Sequence, residues 1–286
     1  MPELPDIDRG CSDDQLARYL ARVGHAGGSR ADAALLAELH EAHLRAIAFE
    51  NFEIQLGRPM RIEPDHLFED LVDRRRGGYC FQMNELFARV LLRLGYRVER
   101  FAARVRLGVA AAVPPRSHQC LRVTDADGGR WFADVGFGGS SPLRPLRWEF
   151  DAPADHGIAS YALRRDPLHG VVVRTRIVDR DWTDMISFHE HVQHPVDFRY
   201  ANHAISTMPE SRFVASRIAS IVRGPERLNF ENGTLRRISS TRVELVEIAP
   251  ADEPALLREQ FGLDLPAELP WLDPVAAART GPVPPR

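Results

Sequence analysis

A cysteine follows two glycines at the point where a helical pattern begins. The segment reads Arg74-Arg75-Arg76-Gly77-Gly78-Tyr79-Cys80-Phe81-Gln82-Met83-Asn84. Apolar residues after it recur at helical spacing and stop at Gly95, so Cys80 lies at or near the first turn of a helix. The unpaired N–H groups of a first turn, the helix dipole and the upstream arginines favour a thiolate there. Cys80 is a candidate nucleophile; the alternative is a small buried cysteine that packs the helix start.

A thiolate nucleophile needs a base, and the base needs a group that fixes its tautomer. His118 stands near the head of a predicted strand, and Asp134 lies within the apolar stretch Trp131-Phe132-Ala133-Asp134-Val135-Gly136-Phe137. An aspartate among apolar residues is costly to bury unless it is hydrogen-bonded. We interpret His118 as the base and Asp134 as its orienting carboxylate. Taken singly, a strand histidine bonded to a carbonyl and an aspartate that caps a turn are the alternatives.

The spacing of these two residues makes a geometric prediction. If His118 lies opposite Asp134 in a hairpin, the loop falls on Thr124–Gly128, which consists largely of turn-forming residues. Both side chains then lie on one face of the sheet with Cβ atoms roughly 5 Å apart. A two-residue turn at Asp127-Gly128 would separate them. With Cys80, they give the papain-type order of cysteine, histidine and carboxylate.

A glycine-rich segment follows the candidate carboxylate directly. As a dinucleotide-binding fingerprint it fails, because Ser141-Pro142 stands where a helix should begin. We expect it to line the substrate pocket and to contact a cofactor through Gly136, Phe137, Gly138 and Gly139.

Metal binding is the rival interpretation of the histidines and cysteines. His118 and Cys120 are two apart on one strand, but the sequence has no CxxC pair and no HExxH motif. Cys120 is more simply a core residue. A later group of histidines is more simply part of a polar connector: His189, His191, His194 and His203. We predict no metal site.

Composition limits the class of protein. The chain has 286 residues, 44% of them hydrophobic, enough for two or three domains. With 37 basic and 40 acidic residues it shows no signature of nucleic-acid or anionic-membrane binding. Three cysteines without paired spacing argue against a disulfide framework. We find no secretion signal or membrane span in the sequence and expect a cytoplasmic protein.

The remaining pattern predicts helices first and strands afterwards. The capping box Ser12-Asp13-Asp14-Gln15 opens a helix that ends at Gly24. Further helical stripes up to Gly95 predict a helical bundle. After it, stretches rich in β-branched and aromatic residues predict antiparallel strands of a barrel or sandwich: Val98 to Leu107, His118 to Val123, Arg130 to Phe137 and Val171 to Val178.

The C-terminal part mixes the two patterns. Phe188 to Met208 is a partly helical candidate connector, and Asn232-Gly233 is a hairpin turn. A strand over Arg242 to Ile248 and a helix from Pro254 follow. The tail from Pro266 has six prolines in its last 21 residues and is expected to be loosely ordered.

Several of these segments together resemble the arylamine N-acetyltransferase family. Arg76 to Asn84 is similar to its Arg-Gly-Gly-x-Cys-x-x-x-Asn signature, and Ile47-Ala48-Phe49-Glu50-Asn51-Phe52 to its Ile-Pro-Phe-Glu-Asn-Leu. Ala133 to Gly138 is similar to Asp-Val-Gly-Phe-Gly. Ala201-Asn202-His203 through Phe213 resembles a further segment. Ala48 replaces the usual proline, and Gln82-Met83 replaces a Glu-Gln or Glu-His pair; neither change touches the three candidate residues.

The resemblance implies an α+β fold with a papain-like Cys-His-Asp core. Its parts would be a helical bundle over 1–96, an antiparallel β-barrel over 97–188, a connector helix over 189–210 and an α/β lid over 211–286. It implies Cys80 as nucleophile, His118 as base and Asp134 as orienter. The implied reaction uses acetyl-CoA as donor and no prosthetic group. An acetyl-cysteine forms and acetylates arylamines, arylhydrazines or arylhydroxylamines in a ping-pong sequence.

Three other functions remain as alternatives to the acetyltransferase. An amide synthase of the same fold that closes a polyketide chain, or a cysteine peptidase-like hydrolase, would use the same three residues. A catalytically silent binding protein is disfavoured because all three residue types are present. For the acetyltransferase that the resemblance implies, we expect a monomer or homodimer that binds a small aromatic amine or hydrazine and acetyl-CoA, and neither nucleic acid nor membranes.

Overall fold

The computed structural model describes residues 10–108, 113–178 and 180–266. The tail predicted to be loosely ordered lies, apart from Pro266, outside the described residues. None of the helices in the described ranges is long and apolar enough to cross a membrane.

Helices dominate the first third of the chain. They are α1 (Asp13–Val23), α2 (Ala33–Ala46), α3 (Phe52–Gln55), α4 (Pro64–Leu67), which continues into a π-helix (Phe68–Asp73), and α5 (Cys80–Arg93). The capping box at Ser12 and the left-handed Gly24 at the end of α1 are confirmed. One strand, β1 (Phe49–Glu50), interrupts the helices. The helical bundle predicted from the sequence did not include this strand.

The fifth helix, α5, is the centre of the molecule. Every residue from Cys80 to Leu91 is buried, including Gln82, Asn84 and Glu85. A helix buried on all sides must satisfy its polar side chains internally. Asn84 and Glu85 bond to the strands packed against α5, which fixes the helix relative to the sheet, and Gln82 bonds to Tyr79 and to the carbonyl of Arg61.

A nine-stranded antiparallel sheet follows and curves into a nearly closed barrel. Its strands are β2 (Arg97–Val105), β3 (Arg116–Thr124), β4 (Arg130–Ala133), β5 (Leu146–Arg147), β6 (Ala154–Asp155), β7 (Ser160–Asp166), β8 (Gly170–Arg176), β9 (Thr183–Phe188) and β10 (Val192–Gln193). The order is β5-β4-β3-β2-β9-β8-β7-β6, with β10 on β2. A bridge between Phe150 and Leu163 brings the segment after β5 onto β7. Aromatic rings such as Phe101, Phe132 and Phe188 fill the interior.

The β3–β4 hairpin differs from the prediction in its register. Leu121 lies opposite Ala133 and Thr124 opposite Arg130, so the five-residue loop is 125–129 instead of 124–128. The carboxylate of Asp125 closes this loop, accepting hydrogen bonds from the N–H groups of Asp127 at 3.0 Å and Gly129 at 2.7 Å. The expectation that His118 lies directly opposite Asp134 was wrong. The strand ends at Ala133, and Asp134 follows it.

The C-terminal part forms a second antiparallel sheet with helices beside it. After α6 (Phe198–Thr207) and α7 (Arg212–Ala215) come β11 (Ile218–Arg223), β12 (Glu226–Glu231), β13 (Thr234–Ile238) and β14 (Val243–Glu247), then α8 (Glu253–Phe261). The strand order is β1-β11-β12-β13-β14, and we call this the C-terminal sheet. Since β1 is its first strand, the helical third and the C-terminal part share one sheet. The predicted α+β class is confirmed.

Candidate active site

Two glycines let the segment before Cys80 run against β1. The N–H of Gly78 donates to the carbonyl of Ala48 at 3.1 Å, and its carbonyl accepts from the N–H of Glu50 at 2.9 Å. A Cβ atom on Gly77 would lie 2.4 Å from the carbonyl oxygen of Ala48. Only glycine permits that approach. The segment that contains Phe49 and Glu50 and the segment that precedes Cys80 are thus hydrogen-bonded to each other, directly before α5 begins.

Cys80 is the first residue of α5, as the sequence predicted. It is 2% exposed and lines a cleft of about 580 Å³. The sulfur Sγ lies 3.7 Å from the carbonyl oxygen of Ser117, the residue before His118. The first-turn N–H groups of α5 have no acceptor one turn earlier in the helix. The geometry therefore places a thiol at a positive helix end and on the wall of a cavity.

His118 and Asp134 are joined by a hydrogen bond of 2.7 Å between Nε2 and Oδ2. Both are buried, at 3% and 0% exposure. Burial lowers the pKa of His118, but Asp134 and then Cys80 outweigh it and raise that pKa from 6.5 to about 10. His118 is therefore an imidazolium at neutral pH, bonded to a carboxylate through Nε2 and in contact with Cys80. Its Nδ1 is left to exchange a proton with the sulfur.

The buried carboxylate of Asp134 has further donors. Its Oδ1 accepts from Asn84 Nδ2 at 2.9 Å and from the N–H of Gly136 at 3.0 Å. The N–H of Asp134 donates to Nε2 of His40 at 3.2 Å. Burial lowers the pKa of His40 to about 4, so this ring is neutral and its Nε2 can accept. Asp134 thus meets the requirement that a buried charge be hydrogen-bonded.

Side chains one turn after Cys80 hold α5 against β3. Asn84 Nδ2 also donates to the carbonyl of Gln119 at 2.6 Å. The buried carboxylate of Glu85 accepts from Arg100 of β2 at 2.7 and 3.1 Å and from Gln119 Nε2 at 3.3 Å. Because Gln119 follows His118, these bonds fix the distance between the sulfur and the imidazole. In the sequence, Asn84 stood out only as part of a motif. Its position four residues after Cys80 puts both side chains on one face of the helix, and this spacing could have suggested that Asn84 supports the site.

The glycine loop (residues 136–141) forms one wall of the cleft. A Cβ atom on Gly136 would lie 2.8 Å from Cα of Cys80, so the loop touches the start of α5. The ring of Phe137 packs edge-on against His118, with 5.3 Å between centroids. Gly136, Phe137 and Gly139 line the cleft. Gly138 is not among the residues that line the cleft; a Cβ atom on it would lie 2.9 Å from the ring of Phe49.

Two residues of β12 hold this loop, and neither was predicted from the sequence. Arg227 is 2% exposed and donates to the carbonyl oxygens of Gly138 at 3.3 Å and Ser141 at 2.6 Å. Asn229 donates to the carbonyl of Gly139 at 3.3 Å. The two alternate with the apolar Leu228 and Phe230, so they share the opposite face of the strand. That alternation is visible in the sequence, but nothing local says which loop this face meets.

The other resembling segments also converge on this region. The hydroxyl of Tyr79 donates to Oδ1 of Asn202 in α6, and Asn202 Nδ2 donates to the carbonyl of Met60 at 2.9 Å. Asn51 Nδ2 donates to the carbonyls of Phe213 and Ser216, both at 2.6 Å. These amides tie the helical third to the connector and to the C-terminal sheet.

The other two cysteines have different surroundings. Burial raises the pKa of Cys11 to about 11 and that of Cys120 well above its ordinary value. Cys120 lies in the barrel core, as predicted. All three cysteines are free. Within the described ranges, no group of three or more histidine, cysteine, aspartate or glutamate side chains could hold a metal ion.

Known proteins are similar to this chain in sequence and in fold. A family model described as N-acetyltransferase matches residues 32–269. An arylamine N-acetyltransferase from Mycobacterium tuberculosis is 36% identical over 255 residues, which cover 87% of this chain and 89% of the relative. The crystal structure of the Nocardia farcinica arylamine N-acetyltransferase is similar with a TM-score of 0.86 at 34% identity, covering 96% of this chain and 98% of that one.

A further relative, the Mycobacterium marinum arylamine N-acetyltransferase in complex with CoA, has a TM-score of 0.83 at 33% identity over 93% of this chain and 95% of that chain. Fold, sequence and the order of the motif segments agree. The chain belongs to the arylamine N-acetyltransferase family.

Proposed function

We propose that the protein transfers an acetyl group from acetyl-CoA to aromatic amines, hydrazines and hydroxylamines through a thioester on Cys80. The contact of Cys80, at the first turn of α5 and on the cleft wall, with the His118–Asp134 pair carries this proposal. The names of the relatives and the CoA complex of the Mycobacterium marinum enzyme support donor and acceptor.

The first half-reaction forms one thioester and breaks another. Sγ of Cys80 attacks the acetyl carbonyl, and the C–S bond to the coenzyme breaks. The CoA thiolate leaves and takes a proton from the His118 imidazolium. Because one thioester replaces another of similar energy, this step is readily reversible. First-turn N–H groups of α5, which have no acceptor within the helix, are placed to stabilise the oxyanion.

The second half-reaction forms an amide. An arylamine is unprotonated at neutral pH and attacks the acetyl-cysteine carbonyl. The nitrogen–carbon bond forms, the Sγ–carbon bond breaks, and His118 takes the proton that the amine loses. Asp134 stabilises the imidazolium again and keeps Nδ1 directed at the sulfur.

Water must be excluded while the acetyl-enzyme waits for its acceptor. The C-terminal sheet covers one side of the cleft, with residues such as Phe49, Ser220 and Asn229 in the lining. We assign it the role of a lid and retain the division into 1–96, 97–188, 189–210 and 211–286, although β1 joins the first and last of these parts. Three free thiols suit a reducing cytoplasm.

Intact-mass spectrometry tests the nucleophile. Incubation with acetyl-CoA alone should add one acetyl group, and Cys80→Ala should abolish the addition. Cys11→Ala is the matched control and should still be acetylated. Acetylation of the Cys80→Ala variant would refute the role of Cys80.

An acceptor and donor panel tests the reaction class. Arylamines and arylhydrazines should release the acetyl group far faster than water does. Release by water alone would indicate a hydrolase. A demand for a long polyketide thioester, with acetyl-CoA inert, would indicate an amide synthase.

A further inference from the structure

Three successive backbone N–H groups after β4 donate to side chains instead of to a neighbouring strand. The N–H of Asp134 donates to Nε2 of His40 at 3.2 Å, and that of Val135 donates to Oδ1 of Asn84 at 3.0 Å. The N–H of Gly136 donates to the carboxylate of Asp134 itself at 3.0 Å. Because the amide nitrogen of Asp134 and its side chain share one Cα atom, the bond to His40 restricts the direction of the catalytic carboxylate.

The ring of His40 has a second backbone partner. His40 lies on α2 at 0% exposure, and its Nδ1 is 3.2 Å from the carbonyl oxygen of Leu143, beyond the glycine loop. A backbone N–H can only donate and a carbonyl can only accept, so these two partners require a neutral ring with its proton on Nδ1. One ring thus holds Asp134 and Leu143, on either side of the loop whose Phe137 packs on His118.

His43, one turn further along α2, has a similar environment but no link to the site. It is also 0% exposed, and both rings pack edge-on against Phe87 with 5.6 Å between centroids. Nδ1 of His43 lies 2.9 Å from the hydroxyl of Tyr19, and its Nε2 has no hydrogen-bond partner among the residues that the structure describes. The two histidines therefore match in burial and packing and differ in the groups that they hold.

We propose that His40 is a positioning residue of the active site, which holds the backbone of Asp134 so that its carboxylate meets His118. By binding Leu143 as well, the same ring closes the segment that contains the glycine loop. His40 is not among the residues that line the cleft, and it acts through Asp134. The inference depends on the proposed function for the reaction used in its first test, whereas its geometry concerns this chain alone.

Two substitutions separate the two hydrogen bonds of the ring. The amide of asparagine can replace Nδ1 as the donor to Leu143, and the amide oxygen of glutamine can replace Nε2 as the acceptor for Asp134. His40→Asn should slow the single-turnover acetylation of Cys80 about 10- to 100-fold, because a displacement of about 1 Å in a catalytic group can have that effect. His40→Gln should restore the rate to within about threefold of wild type, since it keeps the acceptor. Both variants should lower the urea midpoint to a similar extent, because each loses one buried hydrogen bond.

His43→Asn and His43→Gln are the matched controls. They should lower the urea midpoint and leave the acetylation rate of the folded protein unchanged. Equal losses of rate in His40→Asn and His40→Gln would indicate a role in packing alone and would overturn the proposal. An unchanged rate in His40→Asn would also overturn it.

Two measurements make the test independent of acetyl-CoA and of the variants' folding. Alkylation of Cys80 by iodoacetamide should slow in His40→Asn and not in His40→Gln. If wild type is never acetylated but alkylation shows this difference, the proposed function fails while the role of His40 stands. Nitrogen-15 NMR of the wild-type protein should show His40 neutral with its proton on Nδ1; a proton on Nε2 would overturn the proposal even if His40→Asn does not fold.

Discussion

Replacing Asp134 by asparagine removes a charge from the centre of the site and nearly preserves its shape. The carboxylate accepts from His118 through Oδ2 and from Asn84 and Gly136 through Oδ1. An amide has only one oxygen. If that oxygen keeps the two donors at Oδ1, the amide NH₂ must donate to Nε2 of His118. The imidazole then carries its proton on Nδ1, facing Cys80, and cannot accept the thiol proton.

The size of the effect follows from the charge balance. Burial opposes the imidazolium, yet Asp134 and then Cys80 hold the pKa of His118 at about 10 against an ordinary 6.5. That difference corresponds to about 4–5 kcal/mol for the charged form. Without the carboxylate, most of this stabilisation is lost and burial favours the neutral ring. We expect the rate of Cys80 acetylation at pH 7 to fall about 10⁴-fold, the loss seen when the same substitution leaves a triad histidine in the wrong tautomer.

Rapid-quench mass spectrometry of the first half-reaction measures this rate directly, without the acceptor step. Asp125→Asn is the control, because Asp125 is a buried carboxylate at the far end of the same hairpin. It should destabilise the protein by about 1 kcal/mol and leave acetylation unchanged. If Asp134→Asn folds with a normal near-ultraviolet spectrum and acetylates within tenfold of wild type, the assigned role of the carboxylate is wrong.

Four more outcomes are expected. Iodoacetamide should alkylate Cys80 faster than Cys11 at pH 7, because Cys80 lines the cleft in contact with the His118 imidazolium while burial raises the pKa of Cys11 to about 11; equal rates would contradict this. Ionised His118 stabilises the fold fully below pH ~6.5 and ceases to do so as the pH passes about 10, so His118→Gln should flatten that part of the urea-measured stability curve. Arg227→Gln should lower the free energy of unfolding by about 1.5–3 kcal/mol and Arg227→Lys by less. Glu85→Gln should lower the free energy of unfolding by about 3–5 kcal/mol, because it removes the negative charge that contacts two buried arginines, Arg89 and Arg100; a loss below 1 kcal/mol would argue against that network.

The hairpin shows how far sequence reasoning reaches. The parity of the spacing between His118 and Asp134 was enough to predict that they meet on one side of the sheet, and they do. The register was off by two positions because Asp125 captures two N–H groups and moves the loop by one residue at each end. A side chain that accepts hydrogen bonds from its own loop competes with the hydrogen bonds between the two strands. The composition of a turn does not show which of the two prevails.

Contacts between residues that are far apart in the sequence could not be predicted, for a different reason. A strand of two residues such as β1 carries no periodic signal, so its pairing with β11 could not be read from Phe49 and Glu50. The burial of Arg227 was equally hidden, because an arginine in an alternating strand is usually on a solvated face. Motif order could predict that the segments around Asn51 and Asn202 belong together, but not that their amides bond to the backbones of other parts of the chain.

Strand β12 joins the C-terminal sheet to the residues around Cys80. Arg227 and Asn229 hold the glycine loop, whose Gly136 touches Cys80 and whose Phe137 packs on His118. Asn229 also accepts a hydrogen bond from the hydroxyl of Ser220 in β11 at 2.7 Å, so two strands of the sheet support the same loop. A displacement of this sheet would therefore loosen the loop that packs on both Cys80 and His118. The cover of the cleft and the position of the imidazole thus depend on the same strand.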